Sequence, residues 1–147
     1  VPGKFTVYNS LTALAVCRHF NIPEETMKQA LRAVKVKGRV EPVEVSNRFT
    51  VMIDYAHNTK SLESILVGLK SISKGKVITV FGCAGDRDNS KRKEMGRLSG
   101  ILSDYTIITS DNPGTEDPNK ICLEILIHMV VVPVQIRMAY ISSKPHL

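Results

Sequence analysis

Residues 49–129 alternate between short apolar runs and longer amphipathic segments. In chain order they read FTVMIDY (49–55), SLESILVGLKSI (61–72), KVITVFG (76–82), KRKEMGRLSGIL (91–102), DYTIITS (104–110) and PNKICLEILIHM (118–129). The apolar runs have the length of strands, and the other segments have the length and spacing of helices. The order βαβαβα with nearly all-apolar strands predicts an α/β fold with a parallel sheet covered by helices on both faces.

Two helices are predicted before this region. Residues 9–20 place apolar side chains at helical spacing, and Pro23 followed by two glutamates predicts a second helix that continues to Val34. Residues 36–48 contain glycine and proline and lack a helical period, which predicts a connection between two units.

The pattern weakens after Met129. Residues 130–134 are compatible with a fourth strand, but Pro133 interrupts it, and no element is predicted for residues 135–147. The sheet is therefore expected to be truncated at its C-terminal end.

The composition is that of a globular protein with a net charge of +6, 43% hydrophobic and 5% aromatic residues. We expect a cytoplasmic protein, because no segment resembles a membrane span or a signal peptide. Because basic residues are scattered except around 87–93 and aromatic residues are few, nucleic acid is not expected as a partner, and a small acidic molecule is the better prediction. The three cysteines, Cys17, Cys83 and Cys122, lack metal-binding spacing and are interpreted as reduced, mostly buried thiols.

Polar clusters follow each of the three predicted strands. They are DYAHN (54–58), GCAGDRD (82–88) and SDNPG (110–114). In parallel sheets ligands bind at the carboxyl ends of strands, so these clusters predict the site. Asp54 and His57 are candidates to bind ribose or phosphate, but the alternative that Asp54 caps the next helix and His57 is a surface residue is at least as plausible.

The glycine-rich cluster is compatible with a cradle for phosphate or carboxylate, in which Arg87 supplies a bidentate donor. It matches neither the dinucleotide fingerprint nor the P-loop, and an ordinary strand-to-helix turn is the alternative. In the third cluster, Pro113 and Gly114 fit the central positions of a type II turn, and Asp111 or Asn112 is a candidate for a substrate contact. Residues 91–93 are interpreted as a solvated helix face.

Five strings of the sequence, taken together, resemble the Mur ligase family. They are VPGKFTVYNSLTALA (1–15), GRVE (38–41), DYAHN (54–58), FGCAGDRDNSKR (81–92) and TSDNPGTEDP (109–118). They occur in the order of the family branch that adds the third amino acid to UDP-N-acetylmuramoyl-L-alanyl-D-glutamate. The resemblance implies that residues 1–38 are the helical end of a central ATP-binding domain with its hinge. Residues 39–147 would then be an incomplete, Rossmann-like C-terminal domain that is unrecognisable after about residue 129.

The resemblance also implies roles for single residues. Asn9 is similar to the residue that contacts adenine, Arg39 to the hinge arginine near the ATP phosphates, and Asp54 to the acid that holds the ribose, with His57 beside it in the same ATP-binding motif.

On the amino-acid side, Arg87 is similar to the arginine that binds the carboxylate of the incoming amino acid, and Asp111, Asn112 and Gly114 lie in the selection motif. In members that use meso-diaminopimelate this motif ends in arginine, whereas here it ends in Gly114.

The implied activity is ATP-dependent amide-bond formation in peptidoglycan synthesis, with meso-diaminopimelate or L-lysine as the added amino acid. The implied partners are the UDP-N-acetylmuramoyl dipeptide, the amino acid, ATP with Mg²⁺, and the rest of the ligase chain. The P-loop and the magnesium ligands of the family have no counterpart in this sequence. We therefore expect catalytic residues outside the chain and no ligase activity from the chain alone. The alternatives are a related ligase that polymerises amino acids and a non-catalytic remnant that only binds ligands.

Overall fold

The computed structural model describes residues 4–129 and 137–139. Contacts divide the chain into two compact units, Val1–Ala56 and His57–Leu147. The elements are α1 (Lys4–His19), α2 (Glu24–Ala33), β1 (Glu41–Val43), β2 (Val51–Ile53), α3 (Thr59–Ile72), β3 (Ile78–Phe81), α4 (Ser90–Leu102), β4 (Tyr105–Thr109), α5 (Pro118–Leu126) and β5 (Arg137–Ala139). The predicted α/β class is confirmed.

The first unit contains α1, α2 and a small antiparallel sheet. Both helices were predicted, although α1 begins at Lys4 rather than at residue 9. Strand β1 pairs antiparallel with β2, with Pro42 opposite Met52. The prediction that residues 49–55 form the first strand of the parallel sheet is therefore wrong. Residues 36–48 had been interpreted only as a connection, yet they supply the partner strand for β2.

The second unit contains a parallel sheet in the order β3-β4-β5. Helices α4 and α5 contact each other and β4. The hydroxyl oxygens of Ser99 on α4 and Thr106 on β4 lie 2.8 Å apart in the buried layer. A Cβ atom at Gly96 would overlap the carbonyl oxygen of Ile125, so this glycine sets the close approach of α4 and α5. These contacts place β4 beneath the two helices, and β3 pairs with β4 in parallel register.

The opposite face of β3 is open in the part of the chain that the structure describes. Ile78 and Val80 are 58% and 59% exposed, whereas Thr79 between them is buried. The prediction that helices cover both faces of every strand is wrong for β3, because α3 contacts α4 and makes no comparable contact with this strand.

Strand β5, at residues 137–139, was not predicted. Its residues RMA carry no strand pattern of their own, and the parallel pairing with β4 at Ile107–Thr109 defines the strand. The fourth strand that was considered at residues 130–134 lies outside the described residues. No helix among the described residues is long and apolar enough to cross a membrane.

Candidate functional site

Two loops follow the carboxyl ends of the adjacent parallel strands β3 and β4. We call residues 82–88 the β3 loop and residues 110–116 the β4 loop. The backbone N–H of Gly85 donates to the carbonyl oxygen of Asn112 at 2.9 Å, which joins the loops directly. The prediction that three polar clusters share one sheet edge is confirmed for the glycine-rich and SDNPG clusters, which lie side by side. It is wrong for DYAHN (54–58), which follows β2 of the separate antiparallel sheet.

Glycine is required at two positions of the β3 loop. A Cβ atom at Gly82 would overlap the carbonyl oxygen of Thr109, and one at Gly85 would overlap the carbonyl oxygen of Pro113. Both obstacles are backbone atoms, which cannot rotate away as the end of a side chain does. The glycines therefore allow the two backbones to touch, and the loops form one surface.

Asp86 links the β3 loop to the turn of the β4 loop. Its carboxylate accepts hydrogen bonds from the backbone N–H of Thr115 at 2.8 Å and from the Thr115 hydroxyl at 2.7 Å. These bonds lower the pKa of Asp86. Asp86 itself has a φ of +54°, a conformation that aspartate adopts more readily than most residues. The carboxylate thus stays ionised next to Arg87 in the sequence.

The predicted type II turn over residues 112–115 does not form, and a turn of another type lies one residue later. The turn hydrogen bond runs from the N–H of Glu116 to the carbonyl oxygen of Pro113 at 3.1 Å, so Gly114 is its second residue rather than its third. The reason is that the N–H of Thr115, which would close the predicted turn, donates to Asp86 instead. The expected positive φ of Gly114 is confirmed, at +58°.

Arg92 is the centre of a buried ion-pair network. Its guanidinium donates to both carboxylate oxygens of Glu116 at 2.8 and 2.9 Å, to Glu124 at 2.7 Å and to the carbonyl oxygen of Ala84 at 3.3 Å. The side chain is 1% exposed. Hydrogen bonds from Arg92 and from the Asp86 N–H lower the pKa of Glu116 to about 2, and the same pairing raises the pKa of Arg92.

The interpretation of residues 91–93 as a solvated helix face is wrong for Arg92. The sequence carried a signal that was missed: Arg92, Met95, Gly96 and Ser99 follow the spacing of one helix face, and all four are buried. A charged residue on a buried stripe needs partners of opposite charge. The partners come from the β4 loop and α5, which are distant in sequence. The adjacent Lys91 donates to the backbone carbonyl of His57 at 2.9 Å.

The residues predicted to bind the amino acid lie on the surface of the joined loops. Arg87, Asp111 and Asn112 are exposed, and their side chains make no hydrogen bond within the part of the chain that the structure describes. A guanidinium, a carboxylate and an amide on one pair of joined loops match the charged groups of an amino acid. Cys83 in the β3 loop is buried, and burial raises the pKa of its thiol, so it is a packing residue rather than a nucleophile.

Two residues predicted to contact ATP, Arg39 and Asp54, lie close together in the first unit. One carboxylate oxygen of Asp54 accepts from the backbone N–H of Val40 at 2.9 Å, next to Arg39 in the sequence. The Arg39 guanidinium lies 5.1 Å from the centre of the Tyr55 ring. The alternative role of Asp54 as a helix cap is wrong, because Asn58 caps α3. Asn9 is exposed on α1, and His57 is exposed at the start of the second unit.

Residues 38–144 match the sequence profile of the Mur ligase glutamate ligase domain. The chain belongs to the Mur ligase family.

Individual Mur ligases are similar over most of this chain. The UDP-N-acetylmuramoyl-L-alanyl-D-glutamate--2,6-diaminopimelate ligase of Alkaliphilus oremlandii is 50% identical over 122 residues, which are 82% of this chain and 25% of that enzyme. The enzyme of the same name from Clostridioides difficile is 46% identical over 127 residues, 86% of this chain and 26% of that enzyme. The chain therefore spans about a quarter of the length of the curated relatives it matches.

Solved structures show the same fold. A structure of a UDP-N-acetylmuramoyl-L-alanyl-D-glutamate--2,6-diaminopimelate ligase covers 95% of this chain with a TM-score of 0.67 and 27% identity, and the match spans 29% of that structure. A folylpolyglutamate synthase of Mycobacterium tuberculosis complexed with ADP and AMPPCP covers 94% of this chain with a TM-score of 0.74 and 22% identity, over 31% of its own length. The second likeness concerns the fold alone.

Proposed function

We propose that this chain is the amino-acid-binding part of an ATP-dependent ligase. The ligase would join a diamino acid to the D-glutamate of UDP-N-acetylmuramoyl-L-alanyl-D-glutamate, as the names of the similar Mur ligases state for 2,6-diaminopimelate. The observation that carries the proposal is the joining of the β3 and β4 loops by the Gly85–Asn112 hydrogen bond and the Asp86–Thr115 contacts. This junction fixes the backbone beneath Arg87 and Asp111.

Each exposed side chain is assigned to the group of the amino acid that has the opposite charge. Arg87 offers a planar pair of N–H donors, which suits a bidentate contact with the α-carboxylate. Asp111 offers a carboxylate that attracts an ammonium group, and the Asn112 amide both donates and accepts hydrogen bonds. In this arrangement the loops position the reactive amine, and positioning is the main contribution that such a domain makes to amide formation.

Position 114 decides how the far end of the diamino acid is bound. Gly114 has no side chain, and the Asp86 carboxylate occupies the space into which a Cβ atom at this position would project. The loops therefore present the Asp86 carboxylate to the far end of the substrate. Position 114 supplies no cation there. L-Lysine and meso-diaminopimelate share the distal ammonium and differ in the second carboxylate, so comparing the two measures what this position recognises.

The second half of the proposal concerns ATP. In the ligase reaction the substrate carboxylate takes the γ-phosphoryl group of ATP and releases ADP, and the amine of the amino acid then displaces phosphate from the acyl phosphate to give the amide. We assign nucleotide contacts to Asn9, Arg39, Asp54 and His57. The Asp54 oxygen that is not bonded to Val40 is a suitable acceptor for a ribose hydroxyl.

Magnesium accompanies ATP in this chemistry. Within residues 4–129 and 137–139, no group of three or more His, Cys, Asp or Glu side chains is arranged to hold a metal ion. The described residues thus do not fit a magnesium site, and no step proposed here uses a metal held by this chain. The phosphate-binding loop and the magnesium ligands are assigned to the rest of the ligase, which would act in the cytoplasm where ATP is available.

The test is an amide NMR titration of the isotopically labelled chain with meso-diaminopimelate, L-lysine and L-glutamate. We expect a diamino acid to shift the amides of both loops. Arg87→Ala should weaken binding about 10- to 100-fold, because it removes a charge-assisted hydrogen-bond pair worth about 1.5–3 kcal/mol.

The matched control is Arg97→Ala, since Arg97 is an exposed arginine outside the loops and should leave binding unchanged. Preference for L-glutamate would favour a polymerising ligase instead. Absence of loop shifts with all three amino acids would contradict the proposed site.

A further inference from the structure

Four hydrogen bonds from one buried side chain converge on the two loops and α5. Arg92 reaches both oxygens of Glu116 in the β4 loop, the carbonyl oxygen of Ala84 in the β3 loop and the carboxylate of Glu124 in α5. We propose that Arg92 is a positioning residue that holds the β3 and β4 loops in the geometry that binds the amino acid. The proposal rests on the proposed function for the identity of the ligand.

The link from Arg92 to the ligand-binding surface passes through Glu116. The Glu116 oxygen that accepts from Arg92 at 2.8 Å also accepts from the backbone N–H of Asp86 at 2.8 Å. The Asp86 carboxylate in turn holds the N–H and the hydroxyl of Thr115. One chain of charge-assisted hydrogen bonds thus runs from Arg92 to the residues that flank Arg87 and Gly114.

The chemistry of the guanidinium explains why this position is an arginine. Its planar fork satisfies both oxygens of Glu116 while a further N–H bonds Glu124. A lysine ammonium at the same place would act as a single point charge and would not reproduce the two-point contact. Because the Arg92 side chain is 1% exposed, its guanidinium has little access to water that would replace a missing partner.

A comparison within α4 separates this role from ordinary helix stabilisation. Arg97 lies on the same helix and pairs with Glu94 at 3.0 Å, but its side chain is 43% exposed and its partner lies one turn away. Exposed pairs of this kind contribute little to stability. The Arg92 network instead joins segments that are 24 and 32 residues distant in sequence.

The first test needs no ligand. Hydrogen exchange would be followed at the amides of Gly85, Asp86 and Thr115, each of which donates to the opposite loop. We expect Arg92→Met to speed exchange at these three amides at least about 10-fold more than at Ser103, whose amide bonds Ser99 within the helix end. Arg92→Lys should give an intermediate effect, and Arg97→Met should give none.

The proposal is overturned if all four amides accelerate equally, because Arg92 would then only stabilise the domain as a whole. It is also overturned if the loop amides do not change. Should Arg92→Met fail to fold, Glu116→Gln provides the same test, because it keeps the shape of the side chain while it removes the charge that joins Arg92 to Asp86.

The second test measures the binding of L-lysine and meso-diaminopimelate to the same variants. Arg92→Met and Glu116→Gln should weaken binding about 10-fold, with partial recovery in Arg92→Lys. If Arg92→Met loosens the loops but the wild-type chain binds neither amino acid, the proposed function is contradicted and the positioning role stands. Wild-type binding that Arg92→Met does not change would contradict the positioning role alone.

Discussion

The two units of the chain hold their candidate binding residues in place in different ways. In the second unit, the loops that bear Arg87 and Asp111 are joined by backbone contacts and anchored by a buried arginine. In the first unit, Val40 is the one buried residue among residues 6–56, and the residues proposed to bind ATP include Asp54, which bonds the Val40 N–H, and Arg39, which makes a cation–π contact with Tyr55. The loops proposed to bind the amino acid are therefore held by buried contacts within this chain, whereas residues 6–56, which carry most of the proposed nucleotide contacts, include a single buried residue.

The largest effect is expected from a substitution that forces the two loops of the second unit apart. Gly85→Ala places a Cβ atom against the carbonyl oxygen of Pro113. We expect the unfolding free energy to fall by about 1–3 kcal/mol, because backbone must move to relieve the overlap. Urea unfolding followed through amide signals of residues 57–129 measures the loss.

The matched control for this change is Gly75→Ala. A Cβ atom at Gly75 would meet nothing within 4 Å, so the same substitution should have little effect there. Equal losses in both variants, or no loss in Gly85→Ala, would show that the loops are not in close contact.

Acid should weaken the second unit through Glu116. Its pKa is about 2 in the folded chain against an ordinary value of 4.5, because Arg92 and the Asp86 N–H bind its ionised form. The stabilisation is fully present above about pH 4.5 and is lost as the pH falls toward 2. Urea midpoints measured between these limits should fall more steeply for the wild type than for Glu116→Gln. Parallel curves would refute the assignment of this acid sensitivity to Glu116.

A smaller effect is expected in the first unit. Asp54→Ala removes the hydrogen bond to the N–H of Val40, a residue held at a φ of +43°. The loss should be about 1 kcal/mol, confined to residues 4–56, and visible as faster exchange of the Val40 amide. Glu44→Ala is the control, since Glu44 is an exposed carboxylate of the same unit. If Asp54→Ala loosened the second unit as strongly as Gly85→Ala does, the contrast between the units would fail.

The sequence predicted the parts of the fold that depend on local pattern. The apolar runs of β3 and β4 placed two polar clusters at the carboxyl ends of neighbouring parallel strands, and the structure joins the clusters there. Strand pairing was harder to predict. Strand β2 looked like a member of the parallel sheet, but its partner is β1, and nothing in residues 36–48 marks that strand except its position opposite β2.

The buried network was missed for a related reason. Arg92 belongs to a run of three basic residues, which is typical of a solvated surface, and its burial is determined by Glu116 and Glu124 from other segments. The spacing of Arg92 with Met95, Gly96 and Ser99 was the one local sign of it. Position after the strands marked Asp54, His57, Arg87, Asp111 and Asn112 as candidate binding residues. Their specific roles came from family resemblance and stay predictions.

The most direct test of the account is a ligase in which this chain replaces the matching 25% of the Alkaliphilus oremlandii relative. Product formation would be measured with UDP-N-acetylmuramoyl-L-alanyl-D-glutamate, ATP and either meso-diaminopimelate or L-lysine. We predict ATP-dependent joining of a diamino acid that drops at least about 10-fold in Arg87→Ala and is unchanged in Arg97→Ala. A folded chimera that binds ATP but joins neither amino acid, or that is indifferent to Arg87→Ala, would contradict the assignment of the amino-acid site to these loops.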